Sequence, residues 1–178
     1  MKMKKLTITL IFASFFFFIN NNVNAQAFEK GSIVVNLGGG FGGYLSSGVG
    51  ASGSVEVGIW PTGDFGIIGL GAISGITFSS AVLILNDVNY TEFSIGPRGT
   101  YHFTIIPVEN LDVYAAVQIL YALQTTKYDN SLIEDVTDSN VYPGFVAGAR
   151  YYFSDFFGVF AEVGYSVTYL TGGIALKF

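Results

Sequence analysis

From Glu92 to Phe103 the chain alternates residue by residue. Phe93, Ile95, Pro97, Gly99, Tyr101 and Phe103 fall on one parity, and Glu92, Ser94, Gly96, Arg98, Thr100 and His102 on the other. A period of two puts these sets on opposite faces of an extended strand, one apolar and one polar. The pattern recurs in Ala51 to Trp60, where Ala51, Gly53, Val55, Val57 and Ile59 oppose Ser52, Ser54, Glu56, Gly58 and Trp60. In Gly144 to Phe153, Phe145, Ala147, Ala149, Tyr151 and Phe153 oppose Gly144, Val146, Gly148, Arg150 and Tyr152. In Phe156 to Tyr165 the one charge, Glu162, shares a parity with Gly158, Phe160 and Gly164. Helical spacing is scarce, because glycine recurs at short intervals.

The alternation and its turns predict eight strands, over 31–43, 49–60, 65–78, 89–103, 111–126, 141–153, 156–165 and 168–178. No long helix or second domain fits between them. Pro61-Thr62-Gly63-Asp64 and Ser154-Asp155 read as tight turns, and Ile106 to Asn110 as a short one with a proline. Ser79 to Val88 and the polar run Lys127 to Asn140 read as longer loops, Tyr44 to Gly48 and the last connection as short ones. Pro97 cannot donate to a ladder, so a bulge is expected within Gly96-Pro97-Arg98-Gly99. Ile67-Ile68 puts bulk on both faces of 65–78, which leaves the parity of that strand open.

The first residues have the form of an address. Lys2, Lys4 and Lys5 precede an apolar stretch from Leu6 to Ile19, and Val23-Asn24-Ala25 has the small-x-small form of a cleavage site. This predicts a secretory signal peptide over 1–25, too short to span a bilayer as a helix. The exported domain is then 26–178. The chain has no cysteine, so it can carry neither a disulfide nor a lipid on cysteine. Without the three leader lysines, five basic residues stand against thirteen acidic ones, a net charge of about −8 that argues against nucleic acid as a partner.

Charge is scarce as well as negative. The mid-strand charges, Glu56, Glu92, Arg98, Arg150 and Glu162, all fall on the polar parity, and the others sit in turns, loops or strand ends. A soluble sandwich also alternates, but its polar faces look outward and are charged. Here the polar face is small and rich in glycine, as if confined, and the apolar face is the one that would meet lipid. Aromatic residues agree. Trp60, Phe65, Tyr101, Phe103, Tyr151, Phe153, Phe157 and Phe178 gather at the end of the short turns. Phe41, Tyr44, Phe78, Tyr90, Phe93, Tyr121, Tyr142, Phe145, Tyr165 and Tyr169 gather at the other. Two aromatic girdles bounding an aliphatic band is a membrane-interface pattern.

With these features the chain resembles the small OmpA/OmpX-type outer-membrane β-barrel family, over the whole of 26–178 and without a further domain. The end of the chain carries the most specific part: Thr171-Gly172-Gly173-Ile174-Ala175-Leu176-Lys177-Phe178 looks like the family's assembly signal, an alternating last strand with a terminal aromatic, Phe178. The resemblance implies an all-β fold, a closed antiparallel eight-stranded up-and-down transmembrane barrel with a side-chain-filled interior. It also implies location in the outer membrane, contact with its lipid and lipopolysaccharide, delivery by the barrel-assembly machinery, and a monomer. Both termini and the short turns would then lie on the periplasmic side. Members of the family differ in function, so the resemblance supplies an architecture and not an activity.

Four features are candidates for function. The inward charges Glu56, Glu92, Arg98, Arg150 and Glu162 must pair inside so narrow a barrel, as a structural network or as the lining of a path. At least one arginine is expected to meet one glutamate. The acidic loop Asp129, Glu134, Asp135 and Asp138 reads as a solvated external loop, with calcium as the alternative. His102, the one histidine, lies inward beside Thr100, with no second base at the outer rim for lipid chemistry, and one histidine without cysteine cannot build a zinc site. Gly38, Gly40 and Gly43 match G-x-G-x-x-G, but a turn and another strand follow where a phosphate loop needs a helix. On a period of two Gly38, Gly40 and Gly42 point inward, and with Gly173 and Ala175 on the last strand they leave room for bulk from opposite strands, namely Arg98, Tyr114, Arg150, Tyr152 and Phe160.

The expectation is therefore an outer-membrane barrel with no cofactor, no metal and no chemistry of its own, acting in envelope support or through its loops on an external or membrane partner. The alternatives are a narrow channel, which needs a water path past Tyr114, Arg98, Arg150 and Phe160, and, further off, a lipid-modifying enzyme or a soluble binding module.

Overall fold

A strand with one apolar and one polar face leaves both to be covered, and its backbone must pair on both edges; closing eight such strands into a ring does both. The computed structural model describes residues 27–43, 48–83, 86–128 and 135–178. Its strands are β1 (Ile33–Phe41), β2 (Val49–Pro61), β3 (Gly66–Leu83), β4 (Asn86–Phe103), β5 (Leu111–Tyr128), β6 (Val136–Tyr152), β7 (Phe157–Tyr165) and β8 (Leu170–Lys177). Each pairs antiparallel with the next, and β8 returns to β1 with Leu170 opposite Phe41 and Lys177 opposite Val34. The fold is the expected closed, up-and-down, eight-stranded barrel. The expected leader, 1–25, lies outside the described residues.

The two parities separate as anticipated. Asn36, Glu56, Ser94, Arg98, Tyr114, Gln118, Arg150 and Glu162 are buried inside the ring, while Leu37, Val55, Leu70, Ile95, Val117, Ile119 and Val163 stand on its outer wall. Leu37 is 50% exposed and Ile119 59%. A wall of this kind is stable only against hydrocarbon. The open parity of β3 resolves with Ile67 inside, 3% exposed, and Ile68 outside.

Several expectations are corrected. Gly96-Pro97 carries no bulge: Ile95 opposite Tyr121 and Arg98 opposite Gln118 keep one register, and only the two residues between them lack a registered partner on β5. The strand passes straight through with the proline facing outward. The register shift falls instead at Ile59, between the pairs Gly58–Gly69 and Trp60–Ile68. The extra residue turns Trp60 from the polar parity to the outer wall, where it is 68% exposed at the girdle near the termini. Tyr142, expected in the other girdle, points inward and is 2% exposed, and the Tyr165 ring packs beside it.

The long connections are mostly strand. β3 and β4 pair as far as Leu83 with Asn86, and β5 and β6 as far as Thr126 with Val136. Asp138 is thus a strand residue opposite Gln124, and Asp135 directly precedes β6; both are exposed. Asp129 and Glu134 lie outside the described residues. The threonines and valines of this stretch favour extended backbone. They escape a search for alternation because, past the membrane, neither face of a strand is apolar. β3 to β6 have 17 or 18 residues and the other four strands 8 to 13. A tilted strand crosses hydrocarbon in about 9–11 residues, so this half of the wall continues as a four-stranded sheet beyond the barrel.

Candidate functional site: a charged lumen closed at both ends

The inward charges form two clusters and one outlier. Arg98 on β4 reaches across the ring to Glu162 on β7, with Nη2 2.5 Å from Oε1 and Nη1 3.3 Å from Oε2, a two-pronged contact suited to the guanidinium fork. Tyr114 on β5 donates its hydroxyl to the same Glu162 Oε1 at 2.6 Å. Arg150 on β6 contacts Glu56 on β2 through Nη2, Asp112 Oδ2 on β5 through Nη1 at 2.8 Å, and donates from Nε to Asn36 Oδ1 on β1 at 3.1 Å. The Arg150 guanidinium lies 4.2 Å from the centre of the Tyr114 ring, and the Arg98 guanidinium 5.7 Å from it. One tyrosine thus joins the two clusters.

Glu92 stands apart. It accepts hydrogen bonds from Ser94 Oγ at 2.9 Å and Tyr142 Oη at 3.0 Å, and among the described residues no ion pair reaches it. Of the five expected network residues, four are brought together and Glu92 is held by hydroxyls.

Two further residues join the network. The sequence places Asp112 at a strand end, yet it is 4% exposed and binds both Arg150 and His102, which is inward as expected but paired with carboxylates. The signal for Asp112 was available, since it shares a parity with Tyr114, Gln118 and the small Ala116. His102 Nδ1 lies 2.8 Å from Asp112 Oδ1, and its Nε2 lies 3.0 Å from Thr100 Oγ1 and 3.7 Å from Glu56 Oε1. The order Asp112, His102, Thr100 is that of an acid, base and hydroxyl relay. Acyl transfer also needs an approach for substrate and free N–H donors for an oxyanion. Here all three side chains are buried, and the backbone of β4 is paired with β3 and β5 on its two sides. His102 thus ties Asp112 to Glu56 within the Arg150 cluster.

The lumen is stoppered at each end by chain that is not strand. At the end carrying the termini, Ala27 packs with Tyr152, Phe160 and Ala175, and Phe28 with Val34 and Ile67. At the other end, Ser166, Val167 and Thr168, between β7 and β8, turn into the ring. Val167 packs with Ile73, Leu120, Ala122 and Tyr142, and Ser166 Oγ accepts a 2.5 Å hydrogen bond from Gln118 Nε2.

The inner glycines fit this filling. A Cβ at Gly38 would stand 2.8 Å from the Phe160 ring, one at Gly148 would enter Tyr114, and one at Gly158 would lie 2.9 Å from Tyr152. For Gly38 this is the expected role of making space, and Gly148 and Gly158 share it. For Gly40, Gly50 and Gly75 the bulk admitted is the inturned loop: Thr168 meets the first two and Val167 the third, at 2.7 Å.

No protein-family model matches the chain. No curated protein matches it either. Solved structures do. The crystal structure of Ail, the attachment invasion locus protein of Yersinia pestis, is similar over 84% of this chain and 96% of its own, at 13% identity and a TM-score of 0.51. The same figures hold for Ail in complex with the heparin analogue sucrose octasulfate. The N-terminal β-barrel domain of Pseudomonas aeruginosa OprF is similar over 84% of this chain and 98% of its own, at 17% identity and a TM-score of 0.53. At such identities the likeness concerns the path of the backbone, and by that path the chain has the fold of the small OmpA/OmpX-type eight-stranded outer-membrane barrels.

Proposed function

We propose that this is an outer-membrane protein without catalytic activity or steady conductance, which acts through the sheet and loops it raises outside the cell. The observation that carries the reading is the contrast between a lumen filled by Arg98, Tyr114, Arg150 and Phe160 and stoppered at both ends, and four strands that run well past the height of the barrel. With the short turns and both termini on the periplasmic side, β3 to β6 project outward. The signal peptide over 1–25, contact with lipopolysaccharide, delivery through the barrel-assembly machinery with Phe178 as its signal, and a monomeric state belong to the same reading.

The tip of the projection sets the kind of partner. Asp135 and Asp138 are exposed there, and the sequence from Lys127 to Asn140 adds Asp129 and Glu134 against Lys127 as its one basic residue. Such a surface repels a polyanion and favours a basic protein surface, or an anionic one bridged by divalent ions. Adhesion or membership of an envelope complex follows more naturally than the binding of a sulfated sugar of the kind seen with Ail.

Two measurements test this. Purified monomer in planar bilayers should give no steady ion current; a stable current would restore the channel reading. Photocrosslinkers at Asp135 and Asp138 should capture a discrete partner from intact cells, and the barrel alone at every such position would leave an envelope role and remove the interactive one.

A further inference from the structure

Residues 27–32, which precede β1, are not strand but are packed against the mouth of the barrel. Phe28 is 2% exposed, and its ring lies flat on the His102 imidazole, 3.6 Å between centres and 12° between planes. The segment is fastened to the barrel at few points. Gly31 N donates to Gly58 O at 2.8 Å and Gly58 N to Ser32 O at 3.0 Å, while Lys177 Nζ donates to Ala27 O at 3.3 Å. Gly58 has no side chain because Phe28 and the Glu29 carbonyl occupy its place: a Cβ there would lie 3.0 Å from the Phe28 ring. At Gly31, φ is 93°, the left-handed turn that lets the chain double back from the mouth into β1.

We propose that Ala27 to Ser32 form a hinged strap whose Phe28 ring closes the mouth of the barrel over His102, so that the relay of Asp112, His102 and Thr100 meets water only when the strap swings out. A ring stacked on the only histidine, with the three hydrogen bonds named above holding the segment to the barrel body, has the form of a lid. The β1 strand that follows is laced to two neighbours along its whole length, so opening can proceed by rotation about Gly31 without disturbing the ladder. When it opens, the groups uncovered first are an imidazole and the two carboxylates beside it, Asp112 and Glu56. This inference uses the fold alone and does not depend on the membrane side the mouth faces, so its failure would leave the proposed function where it stands.

The sequence supplies a clean probe, because the chain has one histidine. Carbethoxylation of His102 by diethyl pyrocarbonate, followed by mass spectrometry on the folded barrel in detergent, should be at least tenfold slower than in a short peptide carrying the same residue. Phe28→Ala should raise the rate at least tenfold while the barrel still shows its heat-modifiable band, and Phe28→Leu, which refills the mouth, should keep it low. A wild-type His102 as reactive as the peptide, or a folded Phe28→Ala barrel no faster than wild type, overturns the closure. Should Phe28→Ala fail to fold, amide exchange on the wild type decides. The Gly31 amide should exchange at least a hundredfold faster than that of Val35 in β1, as a strap opening on its own requires. Exchange at the same rate as β1 would make the segment part of the barrel body and end the proposal.

Discussion

Around Arg150 the lumen is held by charge, and around Val167 by shape. In the half near the termini, Arg98, Arg150, His102, Glu56, Asp112 and Glu162 come from five strands; Arg98–Glu162 and Arg150–Glu56 span the ring, while Asp112 joins Arg150 and His102 from the strand between theirs. In the other half a short loop dips into a cradle of Gly40, Gly50 and Gly75, among Leu120, Ala122 and hydroxyls. The first half tolerates no slip of register, since a shift by one residue would turn each charge into lipid. The second specifies a volume and leaves the chemistry of its lining looser. A narrow barrel can thus be closed in two ways, one exacting about partners and the other about size.

The sharpest way to break this comparison is to remove the central cation. Arg150→Met keeps bulk and leaves Glu56 and Asp112 buried without their partner, a loss of about 3–5 kcal/mol. Urea unfolding in phospholipid vesicles, followed by the fluorescence of Trp60, the only tryptophan, measures it. A loss below about 1 kcal/mol would show that the cluster fills space and no more. Glu162→Gln should cost less, about 1.5–3 kcal/mol, because the amide still accepts from Tyr114 while Arg98 loses its charged acceptor.

The other half is tested by volume. Gly75→Ala brings a Cβ to 2.7 Å from both the Val167 side chain and the Ala51 carbonyl, and should cost about 1–3 kcal/mol. Val167→Ala alone leaves a cavity and costs a similar amount. Combined, the two should recover part of the loss, with a coupling of about 0.5–3 kcal/mol in a double-mutant cycle. Full additivity would mean that the loop does not rest on the glycine. Gly40→Leu, which collides with Leu170 and Thr168, should impair assembly outright, read as loss of the heat-modifiable band.

The charged half was largely legible in the sequence and the shaped half was not, for a physical reason. Glu56, Arg98, Arg150 and Glu162 announce themselves because a mid-strand charge on the polar parity of an otherwise apolar segment has one place to go. Asp112 hid at a strand end, where charges are ordinary. The inturned loop hid because Ser166-Val167-Thr168 has the composition of any turn; only the glycines opposite betray it, and they sit on other strands, over ninety residues away in sequence. Strand count and alternation follow from period two. The lengths of β3 to β6 do not, because a strand that leaves the membrane loses the apolar face that marks it, as Thr125, Thr126 and Thr137 illustrate.

Glu92 gives the smallest effect and the finest cut between the halves. It is a carboxylate 5% exposed, on the polar parity like the others, yet its partners are Ser94 and Tyr142. If charge pairing organised the whole lumen, neutralising it would resemble neutralising Glu162. If the outer half is organised by shape, Glu92→Gln preserves volume and still accepts from both hydroxyls, so stability should change by less than about 1 kcal/mol. The two glutamine variants, measured side by side in the same vesicles, should therefore differ, with Glu162→Gln the more damaging. Equal losses would place Glu92 within the charged cluster and dissolve the division drawn here, whereas a stabilising Glu92→Gln would show a buried carboxylate whose charge the hydroxyls only partly offset.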